Sequence, residues 1–485
     1  MKKIIKILGI ASLALITFTS CESDITTLNV DPKNPNVVPT ENLLSTVSYY
    51  LTSAHVSASV NENITRFFTQ QWTETTYTSE TNYYFDQRNQ NQFFFNNTYR
   101  EVLGPLAKAK VFLETEKEDV SYSISDQNKI KANKKAVLEI LSIYGWMSLV
   151  DTFGDVPYSQ ALKTETGSIV LQPSYDDAQT IYNDLLNRLT AVNASISTNL
   201  PGYGKDPFYG GNMSQWLKIS NTIKLQMGLN LADTDNAKAK NLVESAVSGG
   251  IISSENDNFQ FVFDNALFPN PVYLNLVANG RNDFLPSNIY VNFMKANNDP
   301  RVPKYFTLAP DGTYKGGIYG LLNTYANFSK ITDKIKGATV PGQIFDVVSV
   351  KFMLAEAAGR GYSVGGSAAQ LYEEAITASM EDWDVAASDI TVFLAAHPYN
   401  AGNWKKSIGE AAWIAMYNRG FEAWYFWRRL DYPILNNAPT SEFGLVRRMP
   451  YPIGEKNNNS TNVSNASAKI TGGDIYSSRV FWDKN

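Results

Sequence analysis

The sequence holds one cysteine, two histidines and few charges. A single Cys in 485 residues excludes an internal disulfide and any multi-thiolate metal or cluster site. His55 and His397 alone leave almost no room for a multi-histidine metal centre. Charged residues make up 18%, against about 25% in an average soluble protein. A net charge of −5 supplies no positive field for phosphate, so nucleic acid is excluded as a partner. No P-loop, dinucleotide glycine motif, metalloprotease helix or complete EF-hand loop occurs.

What replaces the charge is Asn, Ser, Thr, Gln and Tyr. The chain is 44% hydrophobic and 13% aromatic, with 27 Tyr, 25 Phe and 9 Trp. A disordered chain would be charge-rich and poor in rings, so this is a folded protein with a polar, externally suited surface. Its length allows a large core and several domains or one composite domain.

The first residues read as an address. Lys2, Lys3 and Lys6 precede an apolar run from Ile7 to Phe18. That run falls short of the roughly 20 residues needed to span a bilayer. It ends in Thr19-Ser20-Cys21, small residues before the only Cys, which resembles a bacterial lipobox. The expectation is a lipoprotein signal peptide over 1–20, with Cys21 acylated and anchoring the protein in the outer membrane. Two acyl chains on one Cys suffice for stable anchoring where one chain does not. Glu22 and Asp24 follow at once and resemble a signal for display on the outer leaflet.

The body reads as helices around a less regular middle. Ser174 with Asp177 forms a capping box ahead of an apolar stripe through Ile181, Leu185, Leu189 and Val192. Ser367 caps another stripe, through Leu371, Ala375, Ile376, Met380 and Trp383. Val137 to Val150 is apolar nearly all round and is predicted to be a buried helix. Ala411 to Leu430 reads as a second buried helix, with Trp413, Tyr417, Trp424 and Trp427 on one stripe. Helices are further predicted near 41–58, 97–116, 214–232, 236–248 and 346–360. Paired helices across short turns suggest a tetratricopeptide-like scaffold, though no strict repeat period supports it. The Asn/Ser-rich stretch from Asn457 to Ala468 reads as a surface loop.

Two stretches break the pattern, about 61–98 and 251–345, where aromatics sit among Thr, Asn, Gln, Gly and Pro. A flat ring beside hydroxyls and amides suits a sugar, whose C–H face stacks while its hydroxyls reach amides or Arg. On that argument the candidate ligand contacts are Trp72, Tyr77, Asn82, Tyr83, Tyr84, Arg281, Tyr314, Tyr319 and Tyr325. The plainer alternative for each ring is loop packing. Gly361-Tyr362-Ser363-Val364-Gly365 matches a nucleophile elbow, but that motif needs a strand before it. Here the preceding residues read as a helix. Asp86, Asp283 and Asp299 lie in or beside the irregular stretches and leave a glycosidase-type carboxylate pair open.

Several segments, taken in order, carry a family resemblance. They are Leu28-Asn-Val-Asp31-Pro-Lys-Asn-Pro after the Cys, Tyr144-Gly-Trp through Phe153-Gly-Asp-Val-Pro-Tyr158, and Tyr209-Gly-Gly-Asn212 with Trp216 to Asn221. Asn298-Asp-Pro-Arg301, Trp424 to Arg429 with Tyr432-Pro433, and Arg448-Met-Pro-Tyr-Pro-Ile-Gly-Glu455 complete them. Together they resemble the SusD/RagB family of nutrient-binding outer-membrane lipoproteins, over Cys21 to the C-terminus. Where the family usually has a carboxylate, this chain has Asn212.

The resemblance implies a mainly α fold, a tetratricopeptide-like scaffold of about four helix pairs with a loop-rich, partly β ligand face. It implies one domain over 21–485, with scaffold at about 40–250 and 346–456. It also implies pairing with a SusC-like TonB-dependent transporter, and neither catalysis nor a cofactor. The ligand is expected to be an oligosaccharide, with a peptide or other nutrient as the alternative. A helical glycan-processing enzyme is the rival, and a purely structural subunit of the transporter complex a third reading. No metal is expected.

Overall fold

The computed structural model describes residues 38–85, 89–163 and 169–484. Cys21, the signal-peptide run and Asp86 therefore lie outside the described residues.

The principal helices are α1 Thr40–Val56, α2 Gln90–Asn97, α3 Gly104–Thr115, α4 Ile124–Phe153, α5 Ala178–Ser195, α6 Met213–Asn230 and α7 Asn236–Ser248. After an irregular middle come α8 Val347–Gly359, α9 Ala368–Asp382, α10 Ala387–Ala396, α11 Trp404–Ala415 and α12 Gly420–Leu430. The pairs are α4 with α5, α6 with α7, α8 with α9, and α11 with α12. Contacts of α5 with α6, α6 with α8 and α8 with α11 link successive pairs. This is the helical, tetratricopeptide-type architecture expected.

The reasons are local first. Ser367 accepts the Gln370 N–H at 3.2 Å and starts α9. Helix α4 is long and apolar enough to cross a membrane, yet almost all of that stretch is buried in the fold, so it serves as the central core helix. Buried polar groups then tie the pairs together. The Arg429 Nε of α12 meets Glu356 Oε2 of α8 at 3.0 Å, and its Nη1 donates to Asn230 of α6 at 3.0 Å. In α4, Asp151 accepts from the Tyr182 hydroxyl of α5 at 2.6 Å and from the Trp482 indole at 2.7 Å.

Three expectations are corrected. Residues Ala411 to Leu430 are not one helix. The chain breaks after α11, passes Asn418 at φ 62°, and restarts at Gly420. A Cβ on Gly420 would sit 2.6 Å from Arg66 N and 2.9 Å from Thr65 C, so the close approach of the 65–66 backbone fixes the break. The α5 cap is Asp177 alone, accepting the Thr180 N–H at 2.8 Å. Ser174 does not cap it, because Tyr175–Asp176 pairs as a strand with Val156–Pro157. The stretch from Asn457 to Ala468 is mostly helical, as Ile453–Asn458 and Ser460–Ser467. Its buried Val463 and Ala466 supply the packing that a polar sequence does not advertise.

The strands are β1 Trp72–Glu74, β2 Val156–Pro157, β3 Tyr175–Asp176, β4 Phe259–Phe261, β5 Phe284–Pro286 and β6 Gly342–Phe345. They form antiparallel pairs, β1 with β5, β2 with β3, and β4 with β6. The first of these joins the two irregular stretches and positions the candidate site.

A candidate ligand shelf on stapled loops

In the β1–β5 pair Trp72 stands opposite Pro286 and Glu74 opposite Phe284. The ladder continues as the Thr75 N–H donates to Asp283 O at 2.8 Å. A third segment joins when the Asn323 N–H donates to Thr75 O at 2.8 Å. The Asn323 side chain then winds residues 318–323 around itself. Its Oδ1 accepts the Ile318 N–H at 2.7 Å, and its Nδ2 donates to Leu321 O at 2.7 Å and Glu74 O at 3.1 Å. Asn82 does the same work across three segments. Its Nδ2 donates to Thr78 O at 2.8 Å and to Gly320 O at 2.7 Å, and its Oδ1 accepts the Thr440 N–H at 3.2 Å. Gly320 has φ 73°, and a Cβ there would meet Pro439 Cδ at 2.7 Å and Asn82 Oδ1 at 2.9 Å, so only glycine fits. Segments 75–84, 281–283, 318–323 and 438–443 thus form one shelf.

The predicted contacts divide sharply on it. Trp72 is 1% exposed, packed on Phe284 at 6.0 Å with the Arg66 guanidinium 4.9 Å from its ring centre. Tyr83 and Tyr319 are buried as well. The Tyr319 hydroxyl donates to Phe67 O at 2.7 Å, and Gln70 Nε2 donates to the Tyr83 hydroxyl at 3.1 Å. The two hydroxyls are 3.3 Å apart. The expectation that these loop rings are spare surface is therefore corrected. Polar loops need an apolar filling of their own to hold together, and Trp72, Tyr83 and Tyr319 supply it. Asn82 is equally buried, spent on backbone groups.

Tyr77 is 59% exposed, and Tyr84 is exposed with its hydroxyl donating to Thr440 O at 2.6 Å. Arg281 is exposed and paired through Nε with Asp283 at 2.6 Å. Tyr314 is half-buried, and Lys295 donates to its carbonyl at 2.9 Å. Tyr325 is also half-buried, with the Lys330 ammonium 4.3 Å from its ring centre. On the shelf segments the structure thus leaves Tyr77, Tyr84 and Arg281 exposed and buries Trp72, Asn82, Tyr83 and Tyr319.

Other shelf residues escape a search for rings beside amides. Ile318, Leu321 and Leu322 are exposed, Leu322 at 74%. Their signal was an apolar cluster inside a Gly/Asn loop. Phe443 is exposed too and meets Tyr84 edge-on at 5.6 Å, and nothing local in the sequence marks it. Beside it a cavity of about 160 Å³ is lined by Tyr83, Phe85, Asn91, Phe443, Tyr451 and Tyr476 among others.

Of the candidate carboxylates, Asp283 and Asp299 are described, and both are held by arginines. Asp283 is bound to Arg281. Asp299 is buried and forked onto Arg301, at 2.9 Å to Nε and 2.6 Å to Nη2. Glu74 and Glu80 lie side by side, both buried. Burial and the neighbouring Glu80 carboxyl push the Glu74 pKa up to about 9, so Glu74 is protonated at neutral pH. Thr81 donates to its Oε2 through the N–H and the hydroxyl, each at 3.0 Å. Ser363 follows helix α8, not a strand, so the nucleophile elbow is absent. Among the described residues no group of three His, Cys, Asp or Glu side chains is placed to hold a metal ion.

The family comparison follows from this architecture. The sequence model of the SusD-like family described as "Starch-binding associating with outer membrane" matches residues 32–452. Comparison with curated protein sequences finds no match. Solved structures share the fold across nearly the whole chain. A chitin-binding protein aligns at TM-score 0.79 with 23% identity, covering 92% of this chain and 100% of its own. A SusD-like protein from Bacteroides thetaiotaomicron aligns at TM-score 0.77 with 22% identity, covering 92% and 99%. A chitin-binding SusD homologue from Flavobacterium johnsoniae aligns at TM-score 0.75 with 22% identity, again over 92% and 99%. These relatives are described as binding proteins or SusD homologues, none as an enzyme. By fold and by the extent of the family match, the chain belongs to the SusD-like family of nutrient-binding proteins.

Proposed function

We propose that the protein is a non-catalytic, lipid-anchored receptor at the outer-membrane surface. It captures a neutral oligosaccharide on the stapled shelf and passes it to a SusC-like TonB-dependent transporter. The observation that carries this reading is the exposed Tyr77 ring held over a hydrogen-bonded loop platform. A ring on a rigid base loses little entropy when a sugar face stacks on it. Tyr77, Tyr84 and Arg281 contact the ligand, with Tyr314 and Tyr325 offering half-exposed rings. Trp72, Asn82, Tyr83 and Tyr319 act from below by holding the shelf. Two similar structures are chitin-binding by description, which supports a glycan as the ligand class.

One observation favours a second reading. Ile318, Leu321 and Leu322 put aliphatic surface beside the ring, which suits a peptide side chain better than a sugar hydroxyl. An array of glycans and peptides probed with the purified protein separates the two. Calorimetry then gives the affinity of the best hit, and chromatography of that hit after incubation tests catalysis. Glycan binding without shortening of the oligosaccharide is the expected result. Exclusive peptide binding or a shortened product overturns it. Anchoring is tested by Cys21→Ala, which should shift the protein from the membrane fraction to the soluble one.

A further inference from the structure

A second cleft lies between α1, α2 and the stretch 271–279. Its volume is about 260 Å³, and no shelf residue lines it. Its walls include Tyr49 and Tyr50 from α1, Phe93 and Asn97 from α2, and Asn275 and Asn279. Two backbone irregularities flank it. A π-helical turn, Thr98–Leu103, follows Asn97 directly, and another, Leu274–Ala278, contains Asn275. Such turns are rare and tend to occur at functional sites, where the wider turn re-aims side chains. Asn275 is 8% exposed, yet its Oδ1 has no hydrogen-bond partner. A buried amide oxygen left unsatisfied is costly, and a turn of the Asn275 side chain into the cleft would offer it to a ligand hydroxyl. Tyr49 and Tyr50 stand edge to face at 5.4 Å and Phe93 is exposed, so both rings and amides line the cleft. Among the described residues lining it, none is Lys, Arg or His, and Glu62 is the one acid. That lining repels anions.

We infer that this cleft is a second saccharide site, taking a single uncharged sugar ring. The volume lies just below the roughly 300 Å³ at which pockets for drug-sized ligands begin. The inference rests on the saccharide reading above, and it adds a site that shares no residue with the shelf. A chain bound at both would be held at two points, which raises its effective affinity.

The test is saturation-transfer NMR titration of the purified protein with N-acetylglucosamine and with glucuronate. Tyr77→Ala should remove the shelf contribution and leave measurable N-acetylglucosamine binding. In that background Asn275→Leu should weaken binding about tenfold, and Asn279→Ala, an exposed change, about threefold. Glucuronate should bind at least about tenfold more weakly than the neutral sugar. If Asn275→Leu melts without cooperativity, Asn279→Ala decides the matter. Unchanged binding in both Asn variants, or equal binding of glucuronate, overturns the second site. Complete loss of sugar binding in Tyr77→Ala overturns it while leaving the shelf intact. If the unmutated protein binds no sugar at all, both this inference and the proposed function fall.

Discussion

The helical scaffold and the candidate shelf satisfy their backbones in opposite ways. Helices close their own N–H and C=O groups, so their side chains are free to pack, and buried ions such as Glu356–Arg429 act between helices. The shelf has short strands and long loops, so its backbone groups must be met from outside. Asn82, Asn323, Gln70 and Gln71 meet them. Gln71 Nε2, for example, donates to Trp413 O at 2.9 Å and so ties the shelf to α11. The amide-rich composition of the irregular stretches is therefore largely structural. The lesson is that a ring or amide in a polar loop is available to a ligand only after the loop's own needs are met.

The largest effects should come from rings on both sides of this comparison. Trp424→Ala in the scaffold and Trp72→Ala beneath the shelf each remove a fully buried indole, at a cost of about 3–5 kcal/mol. Both should lower the melting temperature markedly in calorimetry. A Trp72→Ala protein that melts like its parent would break the claim that the shelf has its own core.

Smaller, and confined to the shelf, is the loss of a staple. Asn323→Ala leaves four hydrogen bonds unmade, all of them to buried or half-buried backbone groups, and should cost about 1–3 kcal/mol. Hydrogen exchange should show faster opening of 318–323 with α4 unaffected. Equal protection in both regions sinks the staple account.

A pH effect tests the same shelf from beneath. The folded-state pKa of Glu74 is raised to about 9 by burial and by Glu80. The folded protein then holds a proton that the unfolded chain releases near pH 4.5. Stability contributed by this group is present below about pH 4.5 and falls as pH rises toward 9. Glu74→Gln should flatten the alkaline side of a melting-temperature profile. His55 works in the opposite direction. Burial lowers its pKa to about 4, so its contribution is lost as pH falls from about 6.5 to 4. A profile for Glu74→Gln that parallels the parent from pH 5 to 9 would rule out the protonated carboxyl.

The helices were legible because packing one face leaves a 3.6-residue stripe, as in Ile181 to Val192 and Leu371 to Met380. The break between α11 and α12 was not, since the apolar stripe runs straight through it. Its cause is a tertiary contact of Gly420 with Thr65 and Arg66. The shelf's location in the two irregular stretches could be read, but not which rings it exposes. Tyr83 and Tyr84 are adjacent and chemically identical. Tyr83 takes a left-handed turn at φ 64° and points its ring inward, while Tyr84 stays exposed. No periodicity exists there to tell them apart. Residues 438–443, nearly 360 positions from Asn82, join the shelf only through the fold.

The smallest effect on stability should accompany the clearest effect on binding. Tyr77 is 59% exposed, so Tyr77→Ala should change stability by no more than about 0.5 kcal/mol. If the ring stacks on ligand, its removal should weaken binding by about 1–3 kcal/mol, the range measured for stacking on nucleobases. Trp72→Ala reverses the pattern, with a large loss of stability and a binding defect that follows only from a collapsed shelf. Tyr77→Phe separates stacking from hydrogen bonding, because it keeps the ring and deletes the hydroxyl. Binding by Tyr77→Phe close to the parent, with Tyr77→Ala weakened about tenfold or more in calorimetry, is the outcome stacking requires. If Tyr77→Ala binds like the parent while its melting temperature drops, Tyr77 belongs with the staples. The division between exposed contact and buried support would then fail at the residue where it is most sharply drawn.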